Sequence, residues 1–406
     1  MEKIIFHIDV NSAFLSWHCA YNKKINPDFL DLRKVASVIG GDEEARKGVV
    51  LAKSEEAKRY GIKTGISLFE AKRLCPNLVI AKPDFKIYRM YSKKMFELLS
   101  MYSDKIERFS IDEGFLDMSE SIKLFGQPVE VAYKIKERIK KELGFSVNVG
   151  VSCNKLLAKM AGDLEKPDKV ITLFPDELEE KLYPLGIDNL FMVGKKTKEK
   201  LNKLGINTIG ELSNCSLQYL ITHFKNSQGI MLYNYSHGID DSKVEVERKI
   251  KSVGNSTTLS EDTSDILKIR KIILALCDSI GSRLREKNVK GNVIVVTIKY
   301  SNFKVFSHRK TLSFYTSSTD TIYKQALLLF DELWNGNSVR LLGVSISGVS
   351  ENTVSQLSLI ENNAENDKMG KVEKVMDKLR ESYGKDIIKR GMPEGKVSKS
   401  IKDKWE

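Results

Sequence analysis

Apolar and polar positions change their period several times along the chain. "KIIFHIDV" is a nearly continuous apolar run that stops at Asp9, the pattern of a buried strand. "NSAFLSWHCAY" follows behind an Asn/Ser cap and predicts a helix. Residues 20–77 mix polar helices with a short strand at "GVVLA". A helix over 85–104 leads into "IERFSIDEGFLDM", residues 106–118. There the apolar runs 109–111 and 115–116 predict the two arms of a hairpin, with Asp112 and Glu113 between them. A helix "PVEVAYKIKERIKKELG", a strand "FSVNVGVSC" and a helix "NKLLAKMAGDLEK" come next. Strand and helix alternating in this way predict an α/β core.

The texture changes at Pro167 and Asp168. Short helices punctuated by Gly194, Gly205 and Gly210 are expected from about 175 to 240. "DSKVEVERKIK", 241–251, is charged and lacks a helical apolar face, which suits a tether between domains. A second α/β module follows, with a helix at 265–287 and a strand "NVIVVTIKY". The alternating "FKVFSHRKTLSF", a helix at 321–334 and a strand "VRLLGVSIS" complete it. Beyond about 351 the chain is polar apart from "QLSLI" and an amphipathic helix. In that helix Val372, Val375, Met376, Leu379 and Tyr383 share one face.

Length and composition narrow the function. The 406 residues, 41% hydrophobic and 30% charged, leave room for roughly two to four domains with real cores. Lys and Arg number 66 against 54 acids, a net charge of +12 that favours a polyanionic partner such as nucleic acid. The five cysteines are dispersed, with no CxxC pair or Cys/His cluster, so neither zinc nor a disulfide framework is expected. A reducing cytosol is the natural setting. The N-terminal apolar run meets Asp9 too early for a signal peptide or a membrane span.

Asp9 ends a strand, where ligands gather in α/β folds. Asp112 and Glu113 are adjacent acids beside a core, and such neighbours repel each other and resist desolvation. If their strands are adjacent in one sheet, three carboxylates converge on one point. Cations between them would relieve the repulsion, and hard oxygen ligands select Mg²⁺ or Mn²⁺. Magnesium recruits substrate phosphates to complete its shell, so this pattern points to metal-assisted phosphoryl transfer. A rival signal is "GGDEE" at 40–44, close to the GGDEF signature of nucleotide cyclases. It lies before the hairpin and not at its tip, and a cyclase leaves the later modules unexplained. A DNA-binding paralogue with a dead site is a third reading, disfavoured because all three carboxylates are present.

"HIDVNSAF", "SIDEGFLD" and "GVSCNKLLAKMAGDLEKPDK" together resemble the palm of the Y-family DNA polymerases, the DinB/UmuC group of translesion enzymes. They stand in the family's order and at family-like separations, and the resemblance runs over about residues 1–350. It implies an α/β and α+β multidomain fold, the right hand of a polymerase. The palm would be 1–17 and 78–168, the small fingers 18–77 and the helical thumb 169–240. A linker at 241–251, a C-terminal little-finger α/β domain at 252–350 and a tail at 351–406 would follow. The implied activity is template-directed, low-fidelity addition of dNTPs to a primer 3′ end.

The resemblance also assigns residues. Asp9, Asp112 and Glu113 would hold two Mg²⁺ ions (Mn²⁺ as a substitute), with the Val10 carbonyl as a further ligand. Phe14 occupies the steric-gate position, where a ring would collide with a ribose 2′-hydroxyl. Lys155 matches the family's lysine on the incoming phosphates. In the fingers Glu55 and Lys58 replace the Tyr and Arg of many relatives. Lys58 could make only a point-charge contact, and Glu55 would repel phosphate. "LFMVGKKTKEKLNKLGINTIGEL", 190–212, resembles a helix-hairpin-helix, with Gly194, Lys195 and Lys196 against a DNA phosphate. Lys304, His308 and Lys310 would share one face of the alternating segment and meet duplex backbone. "QLSLI" resembles a sliding-clamp-binding peptide through Gln356, Leu357, Leu359 and Ile360. The partners implied are primer–template DNA, dNTP and the sliding clamp. A monomer in the bacterial cytoplasm, at the nucleoid and away from membranes, is expected.

Overall fold

The computed structural model describes residues 3–41, 48–247, 249–351 and 363–384, with 387, 388 and 390. Residues 1–41 and 49–248 form one unit, and the chain from 249 onward belongs to the second.

The strands of the first unit are β1 (Ile5–Val10), β2 (Ser37–Gly40), β3 (Val50–Lys53), β4 (Val79–Ala81), β5 (Ile106–Arg108), β6 (Glu113–Asp117), β7 (Val147–Ser152) and β8 (Val170–Thr172). Five of them make a sheet in the order β5-β6-β1-β7-β8, with β1 antiparallel to both neighbours. The apolar runs read from the sequence are these central strands: β7 is wholly buried, and in β1 only Asp9 is partly open. One face is covered by the helices Phe85–Leu99 and Pro128–Leu143, the other by Lys155–Leu164. The last of these approaches very closely. A Cβ on Gly150 would stand 1.9 Å from the Ala158 carbonyl, so only glycine permits the contact.

The hairpin differs from the expected one. Its first arm is β5, residues 106–108, and not the apolar run 109–111. The Phe109 and Ser110 N–H groups both donate to the Glu113 carbonyl, at 3.1 and 3.0 Å, which closes a turn over those residues. β2, β3 and β4 form a separate three-stranded sheet around Val38, Val50, Ile62 and Leu68. From residue 173 onward short helices bury Leu182, Ile187, Leu201, Leu212 and Phe224 against Leu156, Leu157 and Met160. The helix Lys155–Leu164 therefore serves two cores.

The second unit contains β9 (Ser252–Thr263), β10 (Gly291–Tyr300), β11 (Val305–Thr316) and β12 (Val339–Ser347), in the order β11-β10-β12-β9. Helices Ile266–Glu286 and Thr319–Leu333 pack on the face carrying Ile294, Val296 and Ile298. β9 had no apolar alternation to announce it, because its buried positions include Asn255 and Thr257 as well as Val253 and Leu259. The helix Asn363–Tyr383 covers its apolar stripe only in part, with Met376 and Leu379 half-buried. Val372, Val375 and Tyr383 are exposed, whereas Glu373 is buried. Glu373 accepts from the Thr319 N–H at 2.8 Å and pairs with Arg285 and Arg390; Asp377 pairs with Arg285 and Arg380 with Asp278. The helix docks through charge, since its carboxylates meet guanidinium forks that satisfy them in place.

Candidate active site

Antiparallel register sets Asp9 directly opposite Glu113. The Val10 N–H donates to the Asp112 carbonyl at 3.1 Å, so the three predicted acids meet at one end of the sheet. In a strand, N–H and C=O of one residue project to the same side, which turns the Val10 carbonyl toward the tip bearing Asp112. Ser110 shapes that tip. Its hydroxyl donates to Asp112 Oδ1 and accepts from the Asp112 and Glu113 N–H groups at 3.2 and 3.1 Å.

The carboxylates are not equivalent. Burial pushes the Asp112 carboxyl up; the Ser110 hydrogen bond opposes this, and the charges of Asp9 and Glu113 add to it. Burial would raise Glu113 too, but hydrogen bonds from His7 and Lys159 and the Lys159 charge overcome it and hold it at about 2. Glu113 Oε2 accepts from His7 Nε2 at 3.1 Å and from Lys159 Nζ at 2.6 Å. Asp9 Oδ2 pairs with Lys166, which also reaches Asp163 at 2.8 Å. The charges of Asp9 and Asp163 raise the Lys166 ammonium against the lowering effect of its burial. Among the described residues no set of three ligating side chains is drawn into a closed metal cage. The mutual destabilisation felt by Asp112 nevertheless fits a site for divalent cations, with carboxylate and carbonyl oxygens of the type Mg²⁺ takes.

Beside the carboxylates lies a cavity of about 240 Å³ lined by Val10, Ser12, Phe14, Leu51, Lys53, Thr64 and Asp112, among others. Ser12, in a left-handed conformation (φ 47°), turns the chain from β1 into the helix Ala13–Ile25 and ties it to the Lys53 carbonyl at 2.9 Å. Phe14 stacks on Tyr88 with ring centroids 4.7 Å apart and meets Phe85 edge-on at 5.9 Å. These two ring contacts oppose rotation of Phe14 away from the cavity.

Two lysines stand elsewhere than expected. Lys155 pairs with Glu107 Oε2 at 2.7 Å and the Lys243 carbonyl at 3.2 Å, its ammonium 5.2 Å from the Phe115 ring centre. Glu107 lies opposite Phe115, one row of side chains below Asp9 and Glu113, so Lys155 is a strut one row away from the acids. The lysines at the acids are Lys159 and Lys166, one helical turn further on and past the helix end. The sequence signal was there in "LAKMAGDLEK", but only the close packing at Gly150 decides which lysine meets which acid. Lys58 is exposed and pairs with Glu55 at 3.5 Å; the lysine lining the cavity is Lys53.

Gly194 is the N-cap of the helix Lys195–Lys203 and has no side-chain cap, and a Cβ there would touch nothing within 4 Å. Gly194, Lys195 and Lys196 are all exposed, and no side chain caps the N–H groups of this first turn. In the second unit His308 lies opposite Val296 and Lys310 opposite Ile294. Both therefore point to the helix-covered side, and His308 pairs with Glu332 at 3.2 Å. Lys304 precedes β11. The open face of the sheet carries Arg309, opposite Val295, and Lys299, together with Ser256, Thr297 and Ser345. The residues Gln356, Leu357, Leu359 and Ile360 lie outside the described residues, as do Asp42 to Glu44 of "GGDEE". The Gly40 that opens the latter stretch ends β2, in a different sheet from the carboxylates.

Comparison with known proteins follows this division. The impB/mucB/samB family matches residues 8–163, its C-terminal domain residues 250–359, and the thumb domain of DNA polymerase-iota residues 188–240. The DNA polymerase IV of Clostridium acetobutylicum is 47% identical over 393 residues, covering 97% of this chain and 98% of that protein. DNA polymerase IV 1 of Bacillus subtilis is 36% identical over 394 residues, covering 96% and 93%. Among solved structures a Y-family DNA polymerase chimera of Dbh and Dpo4 matches with a TM-score of 0.73 at 26% identity, covering 86% of this chain and all of that one.

Proposed function

Because this chain belongs to the impB/mucB/samB family, the Y-family DNA polymerases, we propose how its own residues divide the work of template-directed synthesis. The chain is a DNA-directed DNA polymerase of translesion type, and it binds DNA and dNTPs. Asp9, Asp112, Glu113 and the Val10 carbonyl are the ligands for two divalent cations, Mg²⁺ with Mn²⁺ as a substitute. When bound, such ions activate the primer 3′-hydroxyl and neutralise the triphosphate and its leaving pyrophosphate. Lys166, fixed beside Asp9, and Lys53, in the cavity, supply the positive charge for the phosphates in place of Lys155 and Lys58. Phe14 excludes the 2′-hydroxyl. The open helix start at Gly194, Lys195 and Lys196 holds a DNA phosphate through backbone N–H groups. The flat face with Lys299 and Arg309 lies along duplex backbone.

The observation that carries this reading is the β1–β6 register, which puts Asp9 against Glu113 beside the cavity that Phe14 lines. The palm at 1–17 and 78–168, the fingers at 18–77, the thumb at 169–240, the linker at 241–251, the little finger at 252–350, the tail at 351–406, a sliding clamp bound by 356–360 and a monomer in the cytoplasm belong to the same proposal. No described helix is long and apolar enough to cross a membrane, and all five cysteines are free. Asp112→Ala tests the core of it. Extension of a primed template should fall by more than about 100-fold, since a ligand and not merely its outer partner is lost, with DNA affinity retained. Wild-type-like extension would overturn the metal-site assignment.

A further inference from the structure

The two oxygens of Glu113 are treated differently. His7 and Lys159 both end on Oε2, and Oε1 receives no hydrogen bond from any described residue. His7 is fully buried, 0% exposed, in the row below Asp9 on the same face of β1. Its ring leans on Phe115 with centroids 4.8 Å apart. Its Nδ1 has no hydrogen-bond partner among the described residues, and Gly162 is so near that a Cβ there would come within 3.2 Å of it. A carboxylate oxygen can only accept, so Nε2 carries the proton and donates to Oε2. Packing alone gives no reason for this arrangement. An apolar ring would fill the slot without burying an unpaired nitrogen, which costs stability. The second donor is equally constrained. The Lys159 ammonium lies 5.7 Å from the Phe109 ring centre and 5.5 Å from that of Phe191, held over two aromatic faces while it reaches Glu113.

We propose that His7 is a positioning residue for catalysis: with Lys159 it fixes the Glu113 carboxylate by Oε2, so that Oε1 is presented to the cation site shared with Asp9 and Asp112. This rests on Glu113 being a metal ligand, as proposed above. A flexible glutamate must be ordered when a cation binds, and a pre-set one is already ordered. Outer partners of metal ligands typically change metal affinity by about 10–100-fold.

The test uses the full chain bound to primer–template DNA with a dideoxy-terminated primer, and Mn²⁺ binding followed by paramagnetic resonance of the free ion. His7→Phe keeps the ring and its contact with Phe115 but removes the donor. It should weaken Mn²⁺ binding by about 10-fold or more and raise the Mg²⁺ concentration for half-maximal extension in parallel. DNA affinity and the KM for dNTP at saturating Mg²⁺ should stay within about twofold of wild type, the scatter expected of a change that leaves the contacts intact. Mn²⁺ affinity unchanged in His7→Phe but lost in Asp112→Ala overturns the positioning role and leaves the carboxylate site standing. Mn²⁺ affinity unchanged in Asp112→Ala as well overturns both. If His7→Phe melts below the assay temperature, Lys159→Met decides by the same numbers, because it reaches the same oxygen from the partly open side.

Discussion

Replacing Lys155 by methionine separates a structural lysine from a phosphate-binding one. Glu107 is 1% exposed, and its Oε2 accepts from Lys155 Nζ at 2.7 Å and from the Glu245 N–H at 3.0 Å. Methionine keeps most of the aliphatic stem over Phe115 and removes the charge, leaving a buried carboxylate with the backbone N–H still in place. Breaking a buried pair on one side costs about 3–5 kcal/mol. The surviving N–H and the partial exposure of Lys155 place the expected loss near the lower end, about 3 kcal/mol. For a folding unit of this size that lowers the melting temperature by about 6–12 °C. Adding Glu107→Gln should restore most of it, since a neutral amide oxygen still accepts from Glu245 and no longer needs a cation. Differential scanning fluorimetry reads the stability, and single-nucleotide incorporation reads the KM for dNTP, which should stay within about twofold if the ammonium's partner is Glu107 and not substrate. A KM raised tenfold with an unchanged melting temperature would refute the strut and return Lys155 to the phosphates.

Phe14→Ala should admit ribonucleotides. Forcing a hydroxyl against a braced ring costs about 1–3 kcal/mol, so discrimination against rNTPs should drop by about 5–150-fold, and unchanged exclusion of rNTPs on a gel would remove the gate. On acidification without divalent ions, Asp112, whose carboxyl is pushed up, should take its proton before Glu113. Because Glu113 is depressed from 4.5 to about 2, the stability it draws from His7 and Lys159 is fully present above about 4.5 and is lost as pH falls toward 2. Carboxyl-carbon NMR titration checks the order, and Glu113 titrating at or above 4.5 would contradict it. Deleting 356–360 should reduce binding to the bacterial sliding clamp on a plasmon-resonance surface and leave binding to primed DNA alone; equal clamp binding by both forms would rule out that peptide.

The sequence by itself determined the site's composition. A strand ending in Asp9, a hairpin bearing Asp112 and Glu113, and a ring five residues after Asp9 are local patterns. Strand pairing could be anticipated for the runs at β1 and β7, whose continuous apolar pattern suits a strand buried on both faces, but not for 109–111, which closes a turn. What the pattern could not carry was which face and which row each polar side chain would occupy. Lys155, Lys159 and Lys166 read alike along the chain. Their assignment to Glu107, Glu113 and Asp9 follows from how closely one helix crosses Gly150, a contact between residues distant in sequence. Likewise Lys310 and Arg309 are neighbours in one alternating strand, and only pairing with β10 decides which faces the helices and which the open sheet. The helix Asn363–Tyr383 shows an apolar stripe in sequence but buries Glu373, because guanidinium groups from elsewhere in the chain wait there to satisfy it. Charge complementarity between distant segments has no period to read, and so tertiary structure alone decided it.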